Sequence, residues 1–321
     1  MTGSYRAMLC RRLGPPEVLE MAALPRPVLK PGELRIRIRA AGVNFPDLLQ
    51  VAGDYQHKPP LPFVPGFEAA GDIVETAAGA GSWQAGDAAI LRLRGGGYAE
   101  EAVVPADSLL RKPPDWSYEE AAAFPVAAAT AWVALVPRGR LQAGEHLLVL
   151  GAGGGTGLAA VTLGRRLGAA VTAVASSAEK RDAAIAAGAT QAIDPATADW
   201  AGIRADAVFD PVGAPLFDAA WRALAPGGRW LVVGFAGGGQ PRLPASRLLL
   251  REGELVGVRA GEQGRRDPAT ATRLQEALQA WLVGGDGQPR LGGVYRLEDA
   301  GAALRAIAGR RAVGKLVLQT G

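Results

Sequence analysis

The sequence predicts an α/β protein of two domains, a β-rich unit followed by a doubly wound parallel sheet. Three observations carry this reading. Apolar and charged residues alternate with period two in the first third. From Glu145 onward, continuously apolar strands alternate with helical segments. At 147–157 a glycine-rich turn joins such a strand to a helix. A chain of 321 residues, nearly half of them hydrophobic, supplies two cores.

In Glu33–Ala41 (ELRIRIRAA), Leu34, Ile36 and Ile38 alternate with Arg35, Arg37 and Arg39, which places the apolar set on a core and the arginines in water. Gly71–Thr76, Ala88–Leu93 and Tyr98–Val104 read as further antiparallel strands between glycine-rich turns. Ser117 and Glu120 form a capping-box pattern before an Ala-rich run, which Pro125 interrupts. The second domain then reads as strands His146–Leu150, Ala170–Ala175, Gln191–Ile193, Ala207–Asp210, Trp230–Gly234 and Leu255–Val258. Its helices are Thr156–Leu167, Ala178–Ala187, Leu216–Leu224 and Ser246–Arg251, with Gly168 and Gly188 as terminating glycines. Strands such as LLVL and WLVV are apolar on both faces, as a covered parallel sheet requires. The tail carries helices Ala269–Leu282 and Leu297–Ala308 and a last strand, Lys315–Leu318, outside the six-strand unit.

Composition narrows the function. All but five of the 35 basic residues are Arg, and they are dispersed, which argues for a solvated surface rather than nucleic-acid binding. The net charge of +4 favours approach of an anionic cofactor. Cys10 is the only cysteine, so an internal disulfide is excluded and a reducing compartment is expected. The N-terminal stretch lacks an apolar leader, and no run reaches the ~18 uninterrupted apolar residues of a membrane span; a cytoplasmic protein without membrane partners is expected.

Leu147–Leu150 runs into Gly151-Ala152-Gly153-Gly154-Gly155-Thr156-Gly157. Counting back from Gly157 as the third glycine of a dinucleotide fingerprint, Gly154 is the middle one and Ala152 the first position, while Gly155 and Thr156 complete the turn. Small residues let backbone approach a pyrophosphate, and the following helix aims free N–H groups at it. At the end of the second strand no acid stands at Ala175 or Ser176. Ser176, Ser177, Lys180 and Arg181 instead offer hydroxyls and cations to a 2′-phosphate, which points to NADPH. An S-x-x-E cap by Ser176 and Glu179 with solvated cations is the alternative, and both can hold together. Val212-Gly213 and Gly234-Phe235-Ala236 follow the fourth and fifth strands, at the carboxyl ends of a parallel sheet where cofactors bind.

These stretches bring out a family. With AAGVNFPDLLQVAGDY (40–55), LPFVPGFEAAG (61–71), GGYAEEAVVP (96–105), AATAW (128–132), FDPVGAPLF (209–217), APGGRWLVVGFAGG (225–238) and GKLVL (314–318), the chain resembles zeta-crystallin-like quinone oxidoreductases of the medium-chain dehydrogenase/reductase superfamily over essentially its full length. The resemblance implies a discontinuous GroES-like catalytic domain (1–125 and 259–321), a Rossmann domain (126–258), NADPH as cofactor and a homodimer. Departures are Thr156 in place of the usual Val, Pro195 near a position where relatives carry an aromatic or imidazole, and RAGEQGRRD (259–267), which lacks an aromatic.

Zinc-dependent relatives have GHE where this chain reads Gly66-Phe67-Glu68, and a cysteine in the loop that here reads GVNFPD (42–47). With one Cys and two His (His57 and His146), no metal site is expected. His146 reads as structural, and His57 as a loop residue. Without a Lewis acid, alcohol oxidation is disfavoured, whereas hydride delivery to a quinone or enone spreads the charge by resonance. Asn44, Asp47, Tyr55 and Thr130 are the candidates for positioning the acceptor; the resemblance places Asn44 and Tyr55 against nicotinamide and substrate. Asn44 as a turn residue, Asp47 as a cap of a helix Leu48–Val51 and Tyr55 as a packing residue are the structural alternatives. The expected activity is zinc-independent, NADPH-dependent reduction of quinones or related conjugated carbonyls. The rivals are a 2-alkenal or enoyl-thioester reductase and a non-catalytic NADPH- or RNA-binding protein.

Overall fold

The computed structural model describes residues 3–321, apart from the side chains at 263 and 264. The chain divides into two compact units, Met1–Val126 with Trp281–Gly321, and Ala127–Ala280. Residues 259–280, expected with the first unit, fall in the second.

The first unit opens with strands β1 (Ser4–Cys10), β2 (Leu19–Pro25), β3 (Glu33–Val43), β4 (Glu68–Thr76), β5 (Ala88–Arg92), β6 (Glu101–Pro105) and β7 (Leu109–Arg111), and with helices α1 (Phe45–Ala52) and α2 (Tyr118–Ala123). The second unit holds α3 (Pro125–Val133, its first two residues still in the first unit), β8 (His146–Leu150), α4 (Gly155–Arg166), β9 (Ala170–Val174), α5 (Ala178–Ala186) and β10 (Gln191–Ile193). It continues with β11 (Ala205–Asp210), α6 (Ala214–Ala220), β12 (Leu224–Val232), α7 (Ala245–Arg251), β13 (Glu254–Gly257), α8 (Ala260–Arg266) and most of α9 (Pro268–Val283). The chain rejoins the first unit's sheet with β14 (Leu291–Arg296), α10 (Ala300–Ala308) and β15 (Lys315–Gln319).

In the first unit the strand order is β14-β15-β3-β4-β5-β7, with β6 also on β3. The period-two pattern works as expected for the apolar set: Leu34, Ile36 and Ile38 are buried together with Ile73, Leu91, Tyr98, Leu316 and Leu318. The arginines are less uniform. Arg37 is exposed, Arg39 is half-buried against Asp72, and Arg35 is buried and tied to Glu75. Ser117 caps α2 reciprocally with Glu120, and Pro125 breaks the run by ending α2 and starting α3.

The second unit is a six-stranded sheet of order β10-β9-β8-β11-β12-β13, every pair parallel. Numbered from β8, this is 3-2-1-4-5-6, the doubly wound order whose switch point lies between β8 and β11. Helix α6 is shorter than expected. β12 starts at Leu224 because Pro226-Gly227-Gly228 forms an irregularity within the strand, between the pairs Ala205↔Leu224 and Ala207↔Arg229, rather than a turn before it. The segment Tyr118–Arg138 is long and apolar enough to cross a membrane, yet most of it is buried inside the protein.

Candidate active site

In the first unit the chemistry gathers where α1 leaves β3. Asn44 is the N-cap of α1, in extended backbone, with Pro46 in the first turn. The Asp47 side chain reaches back to accept the Asn44 N–H at 2.7 Å. The Asn44 amide donates to Glu68 Oε1 at 2.8 Å. Lys315 Nζ, carried by the last strand, donates to Glu68 Oε1 and Asn44 Oδ1, both at 2.6 Å, and to Val43 O at 3.2 Å. The other Glu68 oxygen accepts the Val126 N–H at 2.7 Å. Gly42 leaves the room for this carboxylate, because a Cβ there would stand 2.2 Å from Glu68 Oε1.

Asp47 is fully buried, and its Oδ2 also accepts the Tyr98 hydroxyl at 3.0 Å. Burial pushes the Asp47 carboxyl up to about 7 against the lowering effect of the Asn44 N–H, Lys315 and the Tyr98 hydroxyl. The buried Tyr98 phenol is raised well above its ordinary value, first by burial and then by Asp47. The Tyr55 ring meets Phe67 edge to face, centroids 5.7 Å apart. Asn44 and Asp47 are thus brought together, Tyr55 is held by Phe67, and Thr130 is half-buried on α3 in the second unit. Glu68, Tyr98 and Lys315 were not among the expected site residues. Their sequence signal was present, since all three lie in the stretches that carried the family resemblance.

In the second unit, α4 begins at Gly155 with Gly154 as its N-cap, directly after β8. Gly157 permits the tight packing of turn on helix, since a Cβ there would lie 2.4 Å from Gly151 O and 2.8 Å from Ala152 Cα. Ala152 is buried and donates its N–H to Val174 O at 3.0 Å. Gly153 has a different neighbour: a Cβ there would fall 2.5 Å from Lys180 Cβ and Cγ, so the Lys180 stem lies across the turn. Ser177, not Ser176, caps α5, its hydroxyl accepting the Lys180 N–H at 3.3 Å. Ser176 is exposed. Arg181 is drawn to Ala175 O and to Asp194 Oδ2, both at 2.9 Å. Of the two cations, Lys180 is therefore the one seated over the glycine turn.

The ends of β11 and β12 are laced together. Asp210 accepts the N–H groups of Val212 and Gly213 at 2.8 and 2.9 Å and the Trp230 indole N–H at 3.1 Å. Its carboxyl is raised by burial despite these donors. Ala236 N–H and Gly237 N–H return to Pro211 O and Val212 O. Gly213 has φ 86°, and a Cβ there would stand 2.9 Å from Phe235 Cδ1; a Cβ on Gly151 would meet Val212 Cγ2 at the same distance. The turns after β8, β11 and β12 therefore meet over the carboxyl edge of the sheet, the place where a doubly wound fold takes a dinucleotide. A close-packed glycine turn, a helix N-terminus without a side-chain cap and a lysine stem across the turn fit a phosphorylated dinucleotide.

The same residues do not fit a catalytic zinc. Phe67 offers no lone pair at the GHE position. The Asn44 amide is engaged on both sides. Buried Cys10 hydrogen-bonds to Arg12 O, His57 is exposed, and the His146 ring nitrogens lie 2.8 Å from Arg204 O and 2.7 Å from Thr172 Oγ1. Among the described residues no three His, Cys, Asp or Glu converge as a metal-binding group.

Residues 30–114 match the alcohol dehydrogenase GroES-like domain family, and residues 155–277 match the zinc-binding dehydrogenase family. Quinone oxidoreductase-like protein 2 of Bos taurus is 37% identical over 98% of this chain and 92% of its own. A probable oxidoreductase from Mycobacterium abscessus superposes with a TM-score of 0.88 at 35% identity, covering 100% of both chains. The quinone oxidoreductase of Thermus thermophilus, solved alone and with NADPH, superposes with a TM-score of 0.83 at 32% identity over 98% of this chain and 100% of its own.

Proposed function

Because this chain belongs to the quinone oxidoreductase-like proteins of the medium-chain dehydrogenase/reductase superfamily, we propose that it is an NADPH-dependent, zinc-independent reductase of quinones or related conjugated carbonyls. The observation that carries this reading is a complete dinucleotide turn with Lys180 across it, in a chain whose GHE position is Phe67 packed on Tyr55.

NADPH, when bound, supplies the hydride. The chain's own task is to bind the cofactor's phosphates, orient the acceptor and stabilise the charge that develops on its oxygen. Lys180 and the exposed Ser176 serve the 2′-phosphate, where an NAD binder would place an acid. Tyr55, its ring fixed by Phe67, offers a phenol donor to the acceptor oxygen. For Asn44 we favour the turn-holding role. Its amide is consumed by Glu68 and Lys315, so it positions the loop into α1 rather than touching the acceptor. A quinone or enone spreads the incoming charge over a conjugated system, so hydrogen-bond donors suffice where an isolated alkoxide would need a metal. We further propose a cytoplasmic homodimer without nucleic-acid or membrane partners. The lone cysteine and the dispersed arginines support that reading.

Steady-state rates with NADPH and NADH, each against 1,4-benzoquinone, 2-alkenals and enoyl thioesters, test this proposal. Preference for NADPH with turnover of the quinone is expected. Negligible quinone turnover beside fast enal or thioester turnover would move the assignment to an enal or enoyl-thioester reductase.

A further inference from the structure

Among the described residues of the first unit, Arg92 is a recessed cation without an ion-pair partner. Arg92 closes β5 directly opposite Glu68 of β4, so the two side chains leave the same face of the sheet. Glu68 cannot serve it, because its two oxygens already accept from Lys315, Asn44 and the Val126 N–H. Among the described residues, the Arg92 side chain makes no ion pair and no hydrogen bond, and it is half-buried rather than out in solvent. Burial lowers the guanidinium's pKa.

The backbone around Arg92 is fixed. The Leu93 N–H donates to Phe67 O at 2.8 Å, Gly96 N–H to Val64 O at 2.7 Å, Gly97 N–H to Gly66 O at 3.1 Å and Tyr98 N–H to Pro65 O at 2.9 Å. The turn that follows Arg92 is thus stitched to the very stretch that carries Phe67 and Glu68. Arg94, two residues on, is exposed and extends the positive charge outward. A recessed guanidinium on a fixed backbone and without an ion-pair partner is an incomplete pair, and its planar fork matches carboxylate or phosphate oxygens.

We infer that Arg92 recognises an anionic group on the acceptor, so that the preferred substrate is a conjugated carbonyl carrying a carboxylate or a phosphorylated carrier. This rests on the reductase reading above and names its substrate class. Arg92 is a specificity residue and takes no part in the hydride step.

The test compares wild type, Arg92→Gln and Arg92→Lys on two matched acceptor pairs with NADPH. One pair is 1,4-benzoquinone and its carboxylate derivative. The other is crotonyl-CoA and the crotonyl thioester of N-acetylcysteamine, which lacks the phosphates. In one of the pairs wild type is expected to favour the anionic member. Arg92→Gln should remove that preference by raising KM about 10- to 100-fold, the loss of one charge-assisted pair. Arg92→Lys should restore part of it, and the loss should be much larger for the anionic member of the responding pair than for its neutral member. The pair that responds separates a carboxylate from a carrier phosphate. Wild type with no anionic preference in either pair, or Arg92→Gln lowering neutral and anionic acceptors alike, overturns the inference while leaving the reductase reading intact. Absence of turnover on all four acceptors overturns both.

Discussion

Lys315 Nζ lies 2.6 Å from Glu68 Oε1, with the lysine side chain 6% exposed and the glutamate not exposed at all. This ion pair joins the last strand to β4, and through the second Glu68 oxygen to the Val126 N–H, where the chain leaves the first unit. Lys315 is also a ligand of Asn44, so one ammonium organises the whole entrance to α1.

Removing one partner of a buried pair strands the other charge, a loss of about 3–5 kcal/mol. Glu68→Gln and Lys315→Met are each expected to lower the urea midpoint by a corresponding amount. The double variant should recover part of the loss, since it leaves no uncompensated charge. Additive losses in the double variant would show that the pair is not coupled.

Asp47 gives the protein a pH-dependent stability. Its folded-state pKa, raised mainly by burial to about 7, exceeds the ordinary carboxylate value, so the folded state holds a proton that the unfolded chain releases. Its contribution is therefore complete below about pH 4 and is lost as pH rises toward the folded value. Wild type is expected to lose a few kcal/mol from this site between those limits. Asp47→Asn, which retains an acceptor for the Tyr98 hydroxyl, should flatten the dependence. Urea unfolding at pH 5 and pH 8 measures it, and an unchanged slope in the variant would remove Asp47 as the cause.

The Lys180 stem and Gly153 occupy adjoining space, so two different substitutions should have one consequence. Lys180→Ala is expected to weaken NADPH binding much more than NADH binding, by about tenfold or more for a lost charge-assisted contact. Gly153→Ala should do the same by displacing the stem, since the added Cβ would fall 2.5 Å from Lys180 Cβ. Calorimetric titration with both coenzymes distinguishes the outcomes; equal losses for NADPH and NADH would end the assignment of Lys180 to the 2′-phosphate.

A histidine restored at position 67 provides a further check. Phe67→His supplies one nitrogen but neither the cysteine nor the additional ligand that a protein zinc site needs. The variant is expected to remain free of stoichiometric zinc and to lose acceptor turnover, because the Tyr55 ring loses its edge-to-face neighbour. Elemental analysis finding one zinc per chain would show a latent metal site.

The parallel sheet was the most legible part of the sequence, because strands such as LLVL and WLVV are apolar on both faces and their turns carry glycine. Weaker patterns hid the first two strands and β14, where LEMAALP and LGGVYR alternate poorly. The S-x-x-E pattern offers Ser176 with Glu179 as a cap of α5, whereas the backbone selects Ser177, which accepts the Lys180 N–H and carries no such pattern. Asn44 and Asp47 were legible singly, as a turn residue and as a cap of a helix Leu48–Val51, and not as the N-cap and third position of one helix that starts at Phe45. Their partners Glu68, Tyr98 and Lys315 lie in stretches that carry the resemblance, but nothing local ties them to α1, since they arrive from 24, 51 and 271 residues away. Arg181 shows the limit of proximity in sequence: it stands beside Lys180, yet Asp194 takes it.

The central claim is that this chain reduces conjugated carbonyls with NADPH and without a metal. Its most direct test is NADPH oxidation by 1,4-benzoquinone on protein dialysed against a strong chelator, with zinc content measured on the same sample. Undiminished turnover at a negligible zinc content is the expected result. Turnover abolished by the chelator and restored by added zinc would contradict the account.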